Sequence, residues 1–421
     1  MSRMVGGRRD TGGGAYESPS AVLLDALVDP SRPVFLFGTV PPREGTSFES
    51  AADICEKFVA RSRALATDGF LVYDIQDEAG RTKEPRPFPF TKTLDAAEYG
   101  ALLQRRSGKG AVVYKCVVEA SHESFDCWLD DAISRHDHRC FNLVGGASSS
   151  VNYSGPTMPD AAEKVLARSA AFGCVTIAER HAKKGTEHTS LLRKSEMGAK
   201  WFISQAIYDT EATVKLLHEY GSLCRYKNVP PTKVILTFAP IGREKTLKFI
   251  RWLGVNVPAA VEERILGAGD EERKARSKEE NVAQCVQILC ECLRTILMQT
   301  SSAGVPLGVS VESVSIFKEE IDAAHVLFAK LQAIMLDAHG CPWKVKWAYT
   351  LPPTAGERAV AVMHAAATQA GVTTAAAAAA NAQAAAVVGR SGIALDLTEN
   401  QIVQVLLALA VGFLIGAHRS S

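Results

Sequence analysis

Residues 173–178 read GCVTIA, residues 201–207 read WFISQAI and residues 233–240 read KVILTFAP. Each run is short, continuous and rich in Val, Ile, Leu or Phe. Strands covered on both faces read this way, because neither face meets water. Segments with helical spacing separate them, among them Glu211 to Tyr220.

The pattern continues in both directions. Upstream lie PVFLFGT (33–39), GFLVYDI (69–75), GAVVYKCV (110–117) and RCFNLVGG (139–146); downstream lies PLGVSVE (306–312). Helical spacing fills Ser50 to Ala66, Leu94 to Arg105, His122 to Arg135, Pro159 to Ala170 and Glu280 to Met298. Ser121 and Thr210 are the expected N-cap residues of two of these helices. Eight strands alternating with helices predict an α/β chain folded as a (β/α)8 TIM barrel. The rival is an open, doubly wound sheet. No GxGxxG follows the first strand, so the rival lacks its dinucleotide fingerprint.

The flanks differ in composition. Residues 1–30 begin MSRMVGGRRDTGGG and are expected to form a flexible N-terminal extension. The barrel is expected over 31–350. Residues 351–398 form an Ala-rich linker, and residues 399–421 an apolar C-terminal helix. Within that helix, Ile402 to Ala417 contains one polar residue, Gln404. A membrane-spanning helix needs about 17–25 apolar residues. Two readings stand, a short tail anchor in an intracellular membrane and an apolar helix packed on the barrel or in a homo-oligomer.

Lys and Arg number 47 against 46 Asp and Glu, a balance that gives no basic surface for nucleic acid. The ten cysteines form no CxxC pair, and several sit in apolar runs, such as Cys116 and Cys174. They read as reduced thiols of a cytosolic-type compartment. No secretory signal is evident, and a mitochondrial location stays open. His136-Asp137-His138 is a weak metal motif, because consecutive residues do not face one site, so no metal is expected. The 145–150 run of small residues reads as a connection, and the charged runs 243–248 and 271–280 as solvated helix faces.

Several segments, in order, resemble the methylenetetrahydrofolate reductase family. Phe37-Gly38-Thr39-Val40-Pro41-Pro42-Arg43 keeps the double proline and arginine of the strand-one motif, but Gly38 stands where the family has glutamate. Val144-Gly145-Gly146 stands where the strand-four motif has Arg-Gly-Asp. Ile177-Ala178-Glu179-Arg180-His181 keeps the strand-five glutamate and histidine. Leu192-Arg193-Lys194, Gly198-Ala199 and Ile203 to Asp209 follow the family's LKRK, AGA and ITQ patterns, and Val255-Asn256-Val257-Pro258 its later turn.

The resemblance implies an FAD-dependent oxidoreductase acting on a folate-type substrate with NAD(P)H. It implies FAD contacts from His181, Arg193 and Lys194, and a pterin contact from Gln205. It also implies that the family acids are replaced by Gly38 and Gly146. Glu179, or Asp74 or Asp77 after strand two, is then the candidate acid. The alternatives are a catalytically inactive barrel that binds folate or flavin or serves as a membrane-tethered module, and a folate-binding barrel with other chemistry such as methyl transfer.

Overall fold

The computed structural model of the chain describes residues 18–77, 84–146 and 153–338. Eight parallel strands close into a barrel in sequence order. They are β1 (Phe35–Thr39), β2 (Gly69–Val72), β3 (Gly110–Cys116), β4 (Cys140–Val144), β5 (Ala171–Thr176), β6 (Trp201–Ala206), β7 (Lys233–Phe238) and β8 (Leu307–Val311). The helices are α1 (Pro19–Val28), α2 (Phe48–Ser62), α3 (Ala96–Ser107), α4 (His122–Ser134), α5 (Met158–Ala167), α6 (Ala178–Lys184) and α7 (Glu187–Glu196). They continue with α8 (Thr210–Lys227), α9 (Glu244–Trp252), α10 (Ala259–Leu266), α11 (Asp270–Ala275), α12 (Lys278–Thr300) and α13 (Lys318–Ala338). Closure is made between β1 and β8, with Phe35 opposite Val309 and Phe37 opposite Val311. The open-sheet alternative is therefore excluded.

The helix starts follow local chemistry. Ser121 caps α4 by accepting from Ser124 N at 3.1 Å. At α8 the cap is Asp209, which accepts from Ala212 N at 3.0 Å, so Thr210 is the first helical residue rather than the cap. Ser277 and Glu280 form a reciprocal capping box on α12.

The N-terminal extension needs correction. Residues 19–28 are helical, with Pro19 in the first turn and Ser18 as cap. Leu23, Ala26 and Leu27 are fully buried in one cluster with Leu36, Leu71, Val112, Trp201 and Ile235. The apolar spacing of Leu23, Ala26 and Leu27 is that of one helix face, and the Gly-rich composition of 1–14 does not reach it. This helix lies at the end of the barrel where the strands begin. Arg139 N donates to Ser20 Oγ at 2.9 Å, and Lys233 Nζ, at the start of β7, donates to the Ala26 carbonyl at 2.8 Å. Burial pushes Lys233 down to about 8.

All cysteines among the described residues are free, and Cys127 alone of them is exposed. No described helix is long and apolar enough to cross a membrane. The expected linker, the apolar segment 402–417 and the end of the barrel range at 339–350 lie outside the described residues.

Replacing Leu23 with Ala removes the side chain that plugs this end of the barrel. The expected cost is about 2–5 kcal/mol. Urea denaturation should show a lower midpoint with an unchanged slope. An unchanged midpoint would mean that α1 does not seal the core.

Candidate functional site

The C-terminal ends of the strands open into one cavity of about 2020 Å3. Side chains at or just after strand ends line it, where barrels of this type place their ligands. Among the described residues, Arg43, Lys57, Arg61 and Arg86 line it from the first part of the chain, and Arg180, Arg193, Lys194 and Lys245 from the second. The acidic lining residues are Asp74, Asp77, Glu119 and Glu312. A cleft with this excess of cations concentrates anionic ligands.

The two glycines at the motif positions have structural partners. A Cβ on Gly38 would stand 2.9 Å from Tyr73 Cε2 and 3.0 Å from the Cβ of Glu312. A Cβ on Gly146 would stand 2.1 Å from Tyr153 Cε2. Both distances are too short for a side chain unless the neighbour moves. The space beside each glycine is therefore taken by an aromatic ring, and at Gly38 also by a carboxylate-bearing side chain.

That carboxylate, Glu312, follows β8 directly. The β1–β8 register, Phe37 opposite Val311, carries it to the side of Gly38. The Tyr73 ring packs on Tyr114 with centroids 4.6 Å apart, and its hydroxyl lies in hydrogen-bonding reach of Glu312 and Tyr114. Burial raises the Glu312 carboxyl above its ordinary value, with the Tyr73 hydroxyl opposing. Burial likewise holds both tyrosines protonated. A carboxyl in such surroundings keeps its proton to higher pH than a solvated one.

Asp74, after β2, also faces the cavity and is raised by burial. Its two oxygens are occupied, Oδ1 by Gln76 Nε2 at 2.7 Å and Oδ2 by Cys116 N at 2.9 Å. It braces β2 against β3. Asp77 lines the cavity as well, from an exposed position.

Arg193 and Lys194 reach the cavity from α7. Arg193 is exposed, whereas the Lys194 ammonium donates to the Val175 carbonyl at 2.8 Å, and burial lowers its pKa. Gln205 lines the cavity from β6 and donates through Nε2 to the Leu253 carbonyl at 2.6 Å. The fold thus brings Arg193, Lys194 and Gln205 to one cavity.

Glu179 and His181 lie elsewhere. Glu179 is buried, accepts from Asn256 N at 3.2 Å and lines a separate space of about 20 Å3 with Asp209. Burial raises its pKa, but it is not on the cavity wall. His181 is fully buried on α6, beside Glu219 of α8, and does not line the cavity either. Both start a helix that turns them away from the barrel axis.

Two further cavity residues, Glu312 and His325, lie outside the family-like motifs. Glu312 was legible as the acid that ends the PLGVSVE run, because residues following a barrel strand face the ligand side. His325, on α13, lines the cavity with Nδ1 on the Ile321 carbonyl at 2.9 Å and its ring 4.8 Å from Phe37. Burial lowers its pKa. Nothing in the sequence around it marked it out. Of the weak metal motif, His138 is buried with Nε2 2.8 Å from the Ala97 carbonyl and packs α3 against α4.

Fold and cavity together define a (β/α)8 barrel with a wide cavity, lined by more cations than acids, at the strand ends. Residues 160–303, about a third of the chain, match the model of the methylenetetrahydrofolate reductase family, and the stretch includes the strand-five and strand-six motifs that resemble it. A solved structure from Clostridium thermocellum, described as an uncharacterized protein that binds two copies of 5-methyl-5,6,7,8-tetrahydrofolic acid, superposes with a TM-score of 0.59 at 24% identity. The alignment covers 74% of this chain and 98% of that one. No curated protein matches the chain.

The packing around Gly38 makes a direct prediction. Gly38→Ala should destabilise the fold by about 1–3 kcal/mol, the range for overpacking a filled site. Thermal unfolding checks this. A variant as stable as the parent would show that the Tyr73–Glu312 arrangement is loose.

Proposed function

We propose that the chain is a flavin-dependent oxidoreductase acting on a folate-type substrate, with Glu312 as the acid in place of the family's strand-one glutamate. The observation that carries this reading is the position of Glu312, next to Gly38 and against Tyr73, with its carboxyl raised by burial. Protonating a folate nitrogen needs a carboxyl that holds its proton near neutral pH. Glu312 meets that need better than Glu179, which is outside the cavity, or Asp74, whose oxygens are both engaged.

The cavity volume supports two ligands. Single small-molecule sites span about 300–1,000 Å3, and this cavity has about 2020 Å3. The lining cations suit the carboxylates of a folate tail and the pyrophosphate of FAD. Arg193 and Lys194, with Arg180 beside them, would hold that pyrophosphate. His181 has no part in it. When bound, FAD would carry hydride from NAD(P)H to the substrate. Gln205 would hold the pterin edge, and the Tyr73 hydroxyl would fix the Glu312 carboxyl toward it.

A second reading, a folate-binding barrel without redox chemistry, is favoured by the commitment of the Lys194 ammonium to Val175 and by the turn of His181 away from the cavity. One pair of measurements separates them: the visible spectrum of the purified chain, with FAD added back, and the thermal shift given by 5-methyltetrahydrofolate. A ligand bound to the folded state raises the unfolding midpoint. Flavin absorbance with a folate shift is the expected result. A folate shift on colourless protein that takes up no FAD supports the second reading, and no folate shift overturns both.

Glu312→Gln should lower turnover by about 10²–10⁴-fold, the usual contribution of a positioned acid, while folate affinity stays within a few-fold. In the parent chain, activity should be present while Glu312 is protonated and fall as pH rises through its raised pKa. That limb should vanish in the variant. Equal rates in the two proteins would remove Glu312 from the mechanism.

A further inference from the structure

Outside the barrel wall, α6, α7 and α8 meet around three side chains, one from each helix: His181, His188 and Glu219. His181 is fully buried, and neither of its ring nitrogens has a hydrogen-bond partner among the described residues. Its Nε2 lies 3.2 Å from Glu219 Oε2. His188 Nδ1, also buried and without a hydrogen bond, lies 3.8 Å from the same oxygen. The two rings stand edge to face at 5.1 Å. One ligand atom from each residue falls within 4.8 Å of the others.

Buried polar groups in folded proteins normally have partners, so the two unbonded nitrogens that face one carboxylate, His181 Nε2 and His188 Nδ1, call for one. A plain ion pair does not account for them, because neither imidazole nitrogen facing Glu219 has hydrogen-bond geometry to it. We propose that His181, His188 and Glu219 bind a zinc-type divalent metal ion.

The donor set selects the class of ion. Two imidazole nitrogens and one carboxylate suit zinc and its neighbours, whereas calcium and magnesium take oxygen ligands. Zinc bonds to these atoms at about 2.0–2.2 Å, which sets tetrahedral donor atoms about 3.3 Å apart. The separations of 3.2 and 3.8 Å approach that spacing. The separation between the two imidazole donors lies within 4.8 Å, so an ion would draw the half-buried His188 inward. The Glu219 side chain is 41% exposed, so water has access to the fourth position.

The site would tie α6 and α7 to α8. The first two helices carry Arg180, Arg193 and Lys194 of the cavity wall, so the ion would brace the cationic side of the ligand site from behind. The proposal is independent of what the cavity binds.

The test uses the full chain, stripped of metal with a chelator and titrated with Zn2+ by calorimetry, with the Co2+ spectrum as a second readout. One equivalent of Zn2+ should bind and raise the unfolding midpoint. Co2+ should give the bands of nitrogen and oxygen ligation. His188→Ala and Glu219→Gln, both at partly exposed positions, should each weaken binding by at least tenfold, and Cys127→Ser should leave it unchanged. His181→Ala removes a fully buried side chain, so the proposal is judged on the other two variants. Absence of stoichiometric Zn2+ binding, wild-type affinity in both variants, or a Co2+–thiolate charge-transfer band would overturn it.

Discussion

The hydrogen bonds between β1 and β8 close the sheet, and their register sets Phe37 opposite Val311. The next residue on each strand is then Gly38 on one side and Glu312 on the other. The ring of Tyr73, from the end of β2, fills the space over Gly38 and leaves no room for a side chain there. A glutamate at position 38 would compete with Glu312 and Tyr73 for the same volume. Closure of the barrel therefore leaves room for a carboxyl at this place only from the residue that follows β8. A slip of the register by one residue would turn Glu312 away from the interior.

The two ends of the barrel divide the work. Where the strands begin, α1 seals the core with Leu23, Ala26 and Leu27, and the polar contacts of Ser20 and Lys233 satisfy the backbone groups around it. Where they end, the interior widens into the cavity and the side chains turn aromatic and charged. Barrels tolerate this division because the strands between the two ends carry a continuous packed core. The Tyr153 ring at Gly146 repeats at β4 the substitution seen at β1, an aromatic group in the place of a motif side chain.

Much of the fold was legible because buried parallel strands leave continuous apolar runs. All eight runs match strands of the structure to within a few residues, and β2 shows the largest difference, ending at Val72 because Tyr73 and Asp74 turn into the cavity. The helix α1 was hidden behind a Gly-rich beginning, although Leu23, Ala26 and Leu27 have helical spacing. For the site, Arg193, Lys194 and Gln205 were placed together by motif order. Glu179 and His181 follow β5 in sequence, but α6 begins at Ala178 and carries both away from the axis. Glu312 escaped notice because its partner Gly38 is more than 270 residues distant in the chain. Such a pairing becomes visible only when the sheet is closed. The cluster of His181, His188 and Glu219 was invisible for a related reason, since it joins three helices whose packing no local pattern specifies.

The central claim is that Glu312 is the acid of a folate site. The most direct measurement is a crystal structure of the chain with 5-methyltetrahydrofolate bound. The account predicts the pterin in the strand-end cavity, with a ring nitrogen in hydrogen-bond distance of the Glu312 carboxyl and the tail carboxylates among the lining arginines and lysines. A folate bound elsewhere, or a pterin out of reach of Glu312, would contradict it.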